Sequence, residues 1–159
     1  MAPSLWRANL ALKLFSLRHI PLIAYCRPKI VRMDSELIEV RIRRSRRTKN
    51  HLGSLYFGAL AIGADLAGGF LVFTKARERG LRVHFAFKDV QGEFLKRAEA
   101  AAHFTCRDGA MIDAMFDEAL ETSERVNRPA SVVVTCPTID PEDPVARFTL
   151  TLSLRANRR

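Results

Sequence analysis

The chain has little with which to build a metal or disulfide centre. Its three cysteines, Cys26, Cys106 and Cys136, form no CxxC pair and cannot all be joined. Free thiols in a reducing cytoplasm are expected, and a disulfide framework is not. The four histidines, His19, His51, His84 and His103, lie far apart without ligand spacing, so no metal is expected. Low complexity, internal repeats and a linker rich in glycine or serine are absent too. Near the N-terminus Arg7, Lys13 and Arg18 interrupt every apolar stretch, which argues against a secretory signal. The 159 residues suit one domain over 1–159, long enough to bury roughly two-thirds of its unfolded surface.

Acidic residues are scarce in one region only. Residues 1–50 hold 12 Lys/Arg against 3 Asp/Glu, whereas residues 51–159 hold 14 of each. The net charge of +9 therefore belongs to the first third, which closes in "RIRRSRRTKN". Such a run suggests an anionic partner: nucleic acid, lipid headgroups or the phosphates of a small molecule. A solvated strand edge kept from aggregation by charge explains it equally. No interleaved aromatics accompany the run, so no nucleic-acid partner is expected.

Hydrophobic periodicity sets the elements. Leu10, Leu14 and Leu17 recur at helical spacing and predict an amphipathic helix over about 4–20, stopping at Pro21. With a basic outer face, it would pack on the domain or touch a membrane surface. Ile38, Val40 and Ile42 alternate with Glu39, Arg41 and Arg43 as in a strand with one wet face. Leu81, Val83, Phe85 and Phe87 alternate likewise, their side chains read as core. A turn at Gln91-Gly92 would lead to a second strand ending near Cys106, with Ala98–Ala102 readable as helix too. Asp108 is placed to N-cap a helix reaching about Glu124, with Asp113, Asp117 and Glu121 on its wet face. Strands Ser131–Cys136 and Val145–Leu154 follow, joined by a turn at Pro141 and Pro144.

The segment from Leu55 to Phe73 breaks this pattern. Its nineteen residues are apolar or small apart from one charge, Asp65. The length would cross a bilayer, but amphipathic strands follow it, so a helix buried on all sides is expected rather than a membrane span. One such helix, about Leu55–Arg79 and closed by Gly80, among one-face-wet strands calls for an α+β fold in which a curved antiparallel sheet wraps the helix. Gly58 and Asp65 lie seven residues apart, about 700° round the helix and about 10.5 Å along it. They share a face but are too far apart to act on one carbonyl within a chain. Antiparallel packing of two such helices would bring Asp65 of one level with Gly58 of the other. Asp65 alternatively pairs with one of the many arginines.

In layout, about residues 30–156 resemble the hotdog fold. Residues 50–65 resemble the signature of its PaaI-like acyl-CoA thioesterases: Asn, two residues, Gly, two residues, His-Gly-Gly, then an apolar turn ending in Ala-Asp. Here Asn50, Gly53, Tyr56-Phe57-Gly58 and "ALAIGAD" to Asp65 keep that register without a gap. The wording is also similar to that of a poorly characterised bacterial branch of the superfamily. The resemblance implies hydrolysis of an acyl- or aryl-acyl-CoA in composite sites of a homodimer, with tetramers left open and no cofactor beyond the coenzyme A substrate. Asp65 would attack the thioester or activate water, the Gly58 N–H would polarise the carbonyl, and Asn50 would bind the water or carbonyl. His51, Gly53, Ser54, Tyr56, Phe57 and Gly69 would shape the substrate site, and Arg43 and Arg46 would bind phosphates. Gly63, Gly68 and Gly69 would permit close helix–helix or helix–acyl contact.

Departures are specific. Tyr56 stands where many relatives have His, Phe57 where they have Gly, and Gly69 where some carry a hydroxyl. His51 precedes Asp65 by fourteen residues, the spacing of the His and acid in hotdog 3-hydroxyacyl-thioester dehydratases, but their proline-containing loop is missing. A non-catalytic acyl-CoA-binding module is the remaining alternative.

Overall fold

The computed structural model describes residues 4–158; residues 1–3 and 159 of the expected domain lie outside the described residues. Helix α1 (Leu5–His19) is followed at once by α2 (Pro21–Cys26). Pro21 cannot continue α1 but suits the first turn of a new helix, where its missing N–H is not needed. Strands β1 (Lys29–Met33) and β2 (Ile38–Ile42) lead through a loop to α3 (Phe57–Glu78), which closes at Gly80 with a positive φ of 64°. Then come β3 (Leu81–Phe94), β4 (Ala102–Cys106), α4 (Gly109–Thr122), β5 (Val126–Cys136) and β6 (Asp140–Arg158).

The six strands form one antiparallel sheet in the order β1-β2-β4-β5-β6-β3. Helix α3 packs against β2 through β6, and this is the wrapped-helix arrangement expected from the apolar run. Ala64, Ala67 and Val72 are fully buried on it, facing a core that includes Val40, Phe104 and Leu152. Gly63 sits so near the sheet that a Cβ there would stand 2.3 Å from Phe104 Cζ. A Cβ at Gly69 would stand 3.3 Å from the Phe85 and Phe87 rings, a tight fit, whereas one at Gly68 would make only ordinary contact with Leu150 and Phe87. Within the chain Gly63 thus lets the helix approach the sheet closely, and Gly69 lies on the face turned to Phe85 and Phe87.

Helix α4 lies beside the C-terminal half of α3 and against β5 and β6. Its Asp113 and Asp117 are not simply wet: they pair with Lys75 and Arg79 of α3. Asp108 precedes α4, but its side chain makes no cap bond. Its carboxylate instead accepts from the Ser131 N–H at 2.6 Å and ties α4 to β5.

Three further expectations are corrected. Gln91-Gly92 is no turn, because β3 runs on to Phe94 and pairs with β6 along its length, with an irregularity between Phe87 and Val90. Gly92 stands opposite Phe148, whose ring would lie 2.9 Å from a Cβ at that position, so the glycine makes room for an aromatic. The alanine run is neither long strand nor helix: β4 begins only at Ala102, and the preceding loop offers the Ala98 carbonyl to the Leu55 N–H. Finally, α1 packs through Ala8, Leu12 and Ser16, leaving Leu10, Leu14 and Leu17 exposed.

The two sheet edges differ. At β1, Asn9 of α1 acts as a mimic strand: its amide donates to the Ile30 carbonyl and its oxygen accepts from the Ile30 N–H, both at 2.9 Å. At the other edge β3 has β6 on one side and, among the described residues, no strand on the other.

Candidate active site

The loop between β2 and α3 is ordered by its own side chains. Thr48, nearly fully buried, donates to the Arg43 carbonyl at 2.7 Å and accepts from the Ser45 N–H at 3.0 Å. The basic run therefore folds into a tight turn. The Thr48 carbonyl then accepts from the Tyr56 N–H, which fixes the entry to α3.

Asn50 organises the next turn. Its side-chain oxygen accepts from the Leu52 N–H at 3.0 Å, the Ser54 N–H at 3.2 Å and the Ser54 hydroxyl at 3.3 Å. That oxygen is committed to the loop, so the side-chain NH2 is the group it can offer a substrate. Gly53 has a φ of 79°, a left-handed conformation that favours glycine. Its carbonyl accepts from Arg44 at 2.7 Å, so one arginine of the basic run buttresses the loop.

At the start of α3, the Ala59 and Leu60 N–H groups both donate to the Tyr56 carbonyl. Among the described residues no carbonyl accepts from the Gly58 N–H, which is one of the orphan donors of the first helical turn. The helix dipole adds partial positive charge there. The Tyr56 ring lies over Gly58, and Tyr56 and Phe57 continue as an exposed aromatic series to Phe94.

Asp65, two turns further on, faces a pocket of about 290 Å3. Its other walls are Phe15, Ile20, Ile23, Leu66, Gly69, Phe70, Phe73 and residues 85–87 of β3. Among the described residues Asp65 is the single ionisable group lining it. Burial raises its pKa above the ordinary carboxylate value, and neither a charge nor a hydrogen bond offsets the shift. Among the described residues Asp65 joins no ion pair, so no arginine of its own chain neutralises it.

The expected site residues fall into three places. Asn50, His51, Ser54, Tyr56 and Phe57 line a cleft of about 330 Å3 at the loop, whose far wall is Phe94, Lys96 and Arg97. Asp65 and Gly69 line the apolar pocket, and the two cavities share no residue. Arg43 and Arg46 line a third, smaller cleft with Arg27, Arg47 and Tyr25. Among the described residues no three His, Cys, Asp or Glu side chains are grouped to hold a metal ion.

Sequence reasoning missed the roof of the Asp65 pocket. Phe15 comes from α1, Ile23 from α2 and Ile20 from the link between them, and no motif marks them. Phe85 and Phe87, read as core, are only half-buried because they wall this pocket. Their spacing on β3 put them on the α3 face, but only the fold shows that the face opens onto the acid.

Solved structures share this architecture along nearly the whole chain. A protein of unknown function from Chlorobaculum tepidum TLS superposes with a TM-score of 0.81 at 17% identity, over 96% of this chain and 97% of its own. One from Pseudomonas aeruginosa, described as a probable thioesterase, gives 0.76 at 22% over 94% and 95%. Zebra fish thioesterase superfamily member 2 gives 0.69 at 11% over 95% and 98%. These likenesses show the hotdog fold. No curated protein matches the sequence. A family model matches residues 9–154, from within α1 to Leu154 of β6, and the chain belongs to that family, the domain of unknown function DUF4442.

Proposed function

We propose that this protein is an acyl-CoA thioesterase that works as a homodimer with composite sites. One observation carries the reading: Asp65 is a lone, partly desolvated acid in an otherwise apolar pocket on the central helix. An unpaired carboxylate there is costly to keep unless its charge is used. That several solved structures of this fold bear thioesterase names supports the reading.

The geometry suits the chemistry if two copies combine. The unpaired β3 edge can take a second β3, which would set two α3 helices antiparallel behind one continuous sheet. Asp65 of one chain would then meet the Asn50–Gly58 loop of its partner. The apolar pocket holds the acyl chain, and the Gly58 N–H, aided by the helix dipole, stabilises the oxyanion. Asp65 either attacks the carbonyl carbon or takes a proton from the water that does. The carbon–sulfur bond then breaks and coenzyme A leaves as thiolate, to be protonated from solvent; where Asp65 is the nucleophile, water then hydrolyses the acyl–Asp65 anhydride to the free acid and restores the carboxylate. Arg43 and Arg46, beside Arg27 and Arg47, offer guanidinium groups to its phosphates.

Release of free thiol from a panel of acyl-CoAs of increasing chain length tests this. Turnover that falls roughly a thousandfold in Asp65→Asn is expected. Equal turnover of wild type and variant would remove Asp65 from the mechanism. Tight binding without thiol release would favour a non-catalytic module, and hydration of an enoyl-CoA without it would favour His51 and Asp65 as a dehydratase pair.

A further inference from the structure

The face of α1 turned away from the domain has a chemistry of its own. Trp6, Leu10, Leu14 and Leu17 fall within about 80° of arc, roughly 160° from the buried stripe of Ala8, Leu12 and Ser16. They are 46–64% exposed, and Tyr25 of α2 is 54% exposed. At roughly half of the 150–250 Å2 that a large side chain offers, these five alone expose on the order of 500 Å2. Soluble monomers seldom show so large an apolar patch without a use for it.

Charge frames the patch. On the helical wheel Lys13 borders one side of the leucine stripe, and Arg7 and Arg18 border the other. The Arg7 guanidinium rests over the Trp6 ring, and that of Arg47 over Tyr25. Between α1 and α2 runs a groove of about 730 Å3 whose lining includes Lys13, Leu17, Tyr25, Arg27, Lys29 and Arg47. Among the described residues none of these six cations is in an ion pair, and no acidic side chain precedes Asp34.

We propose that α1, with the adjoining end of α2, docks this face onto the surface of an anionic lipid bilayer. An apolar stripe tipped by Trp, edged on both sides by Lys/Arg and free of acids, fits the headgroup–acyl boundary. A second copy of the chain fits it poorly. An isologous contact here would set Arg7, Lys13 and Arg18 against their own kind, with no acid on the face to answer them. The helix lies in the interface; it does not cross it, being 15 residues long with one face committed to the protein. The same helices roof the Asp65 pocket through Phe15, Ile20 and Ile23, so docking places that roof at the lipid. The docking does not depend on Asp65 being catalytic, and it is read without substrate.

Co-sedimentation with vesicles tests it, comparing phosphatidylcholine alone with vesicles containing about one-third phosphatidylglycerol. Wild type is expected to bind the anionic vesicles, to bind less as salt rises, and to leave the neutral ones in solution. Leu14→Asp with Leu17→Asp should weaken binding by more than about tenfold. Lys13→Glu with Arg18→Glu should weaken it by at least about 30-fold, given that each cation is worth roughly a factor of five. Both pairs lie on the exposed face, so circular dichroism and melting should match wild type; should the leucine pair misfold, the charge pair still decides. Wild type that ignores anionic vesicles, or variants that bind as well as wild type, would overturn the proposal. So would a drop in oligomer mass in the leucine variant without any vesicle binding, which would assign the face to a protein contact.

Discussion

The Tyr56 ring lies directly on Gly58: a Cβ at position 58 would stand 2.6 Å from Tyr56 Cε1. The contact is with a half-exposed ring that has room to swing away. Gly58→Ala should therefore cost little stability, under about 1 kcal/mol. Its effect belongs at the N–H, where a methyl group and a displaced tyrosine crowd the oxyanion. A fall in kcat of about tenfold to a hundredfold is expected with Tm nearly unchanged. Calorimetry and acyl-CoA kinetics on the same sample separate the two. Tyr56→Ala combined with Gly58→Ala should recover part of the loss if crowding by the ring is the cause.

The same substitution five residues on should behave in the opposite way. At Gly63 the neighbouring atoms belong to Phe104, which is fully buried at the centre of the sheet and cannot retreat. Gly63→Ala is expected to destabilise by about 3 kcal/mol or more, as overpacked cores do. Urea denaturation measures it. A loss below about 1 kcal/mol would mean that helix and sheet can separate slightly without penalty.

What the sequence made legible follows from contrast. Asp65 stood out because everything around it is apolar, and β6 because Phe148, Leu150, Leu152 and Leu154 alternate with polar residues over a long run. The face of α1 was not legible, since Leu12 is the single leucine buried there and its companions Ala8 and Ser16 are residues no hydrophobicity pattern selects, while Leu10, Leu14 and Leu17 point outward. Gly92 resembles a turn residue until Phe148 is known to lie across from it. Asn50 was legible as a site residue, but the three bonds to its side-chain oxygen depend on a loop closure that spacing alone does not encode.

The acid in the apolar pocket has a sign that can be checked. Burial raises the Asp65 pKa, so between the unfolded and folded values the native state holds more protons than the unfolded chain. Stability from this group thus falls as pH rises through that window, and the cost is complete above the folded pKa. Asp65→Asn removes the charge and should raise Tm at pH 7, with the gain shrinking as pH drops into the ordinary carboxylate range. Melting of both proteins across pH 3.5 to 8, roughly the span of the titration, tests it. In wild type, hydrolysis should fail on the acid side with an apparent pKa above that of a normal aspartate.

Lys75 gives a second stability test, far from the proposed chemistry. Its side chain is 7% exposed and donates to Asp113 at 2.5 Å, and Arg79 holds both Asp113 and Asp117. Asp113→Ala strands a nearly buried ammonium, so about 2–3 kcal/mol of destabilisation is expected, reduced from the fully buried case by the exposure of Asp113. Asp117 is mostly exposed and its loss should cost less than about 1 kcal/mol. A reversed order would mean that Lys75 finds water or another acceptor when Asp113 is gone.

The composite site is tested most directly by mixing two inactive proteins. Asp65→Asn removes the acid, and Asn50→Ala loosens the loop that presents the Gly58 N–H. In a mixed dimer one site collects both changes and the other collects neither, provided each site draws its acid and its loop from different chains. Random exchange makes about half the dimers mixed, each with one intact site of two, so about a quarter of wild-type activity should return. If acid and loop served the same site within one chain, every site in the mixture would carry a change and nothing would return. The two cavities sharing no wall residue favour the first outcome. Activity is followed after brief co-denaturation and refolding, with each variant treated alone as the baseline.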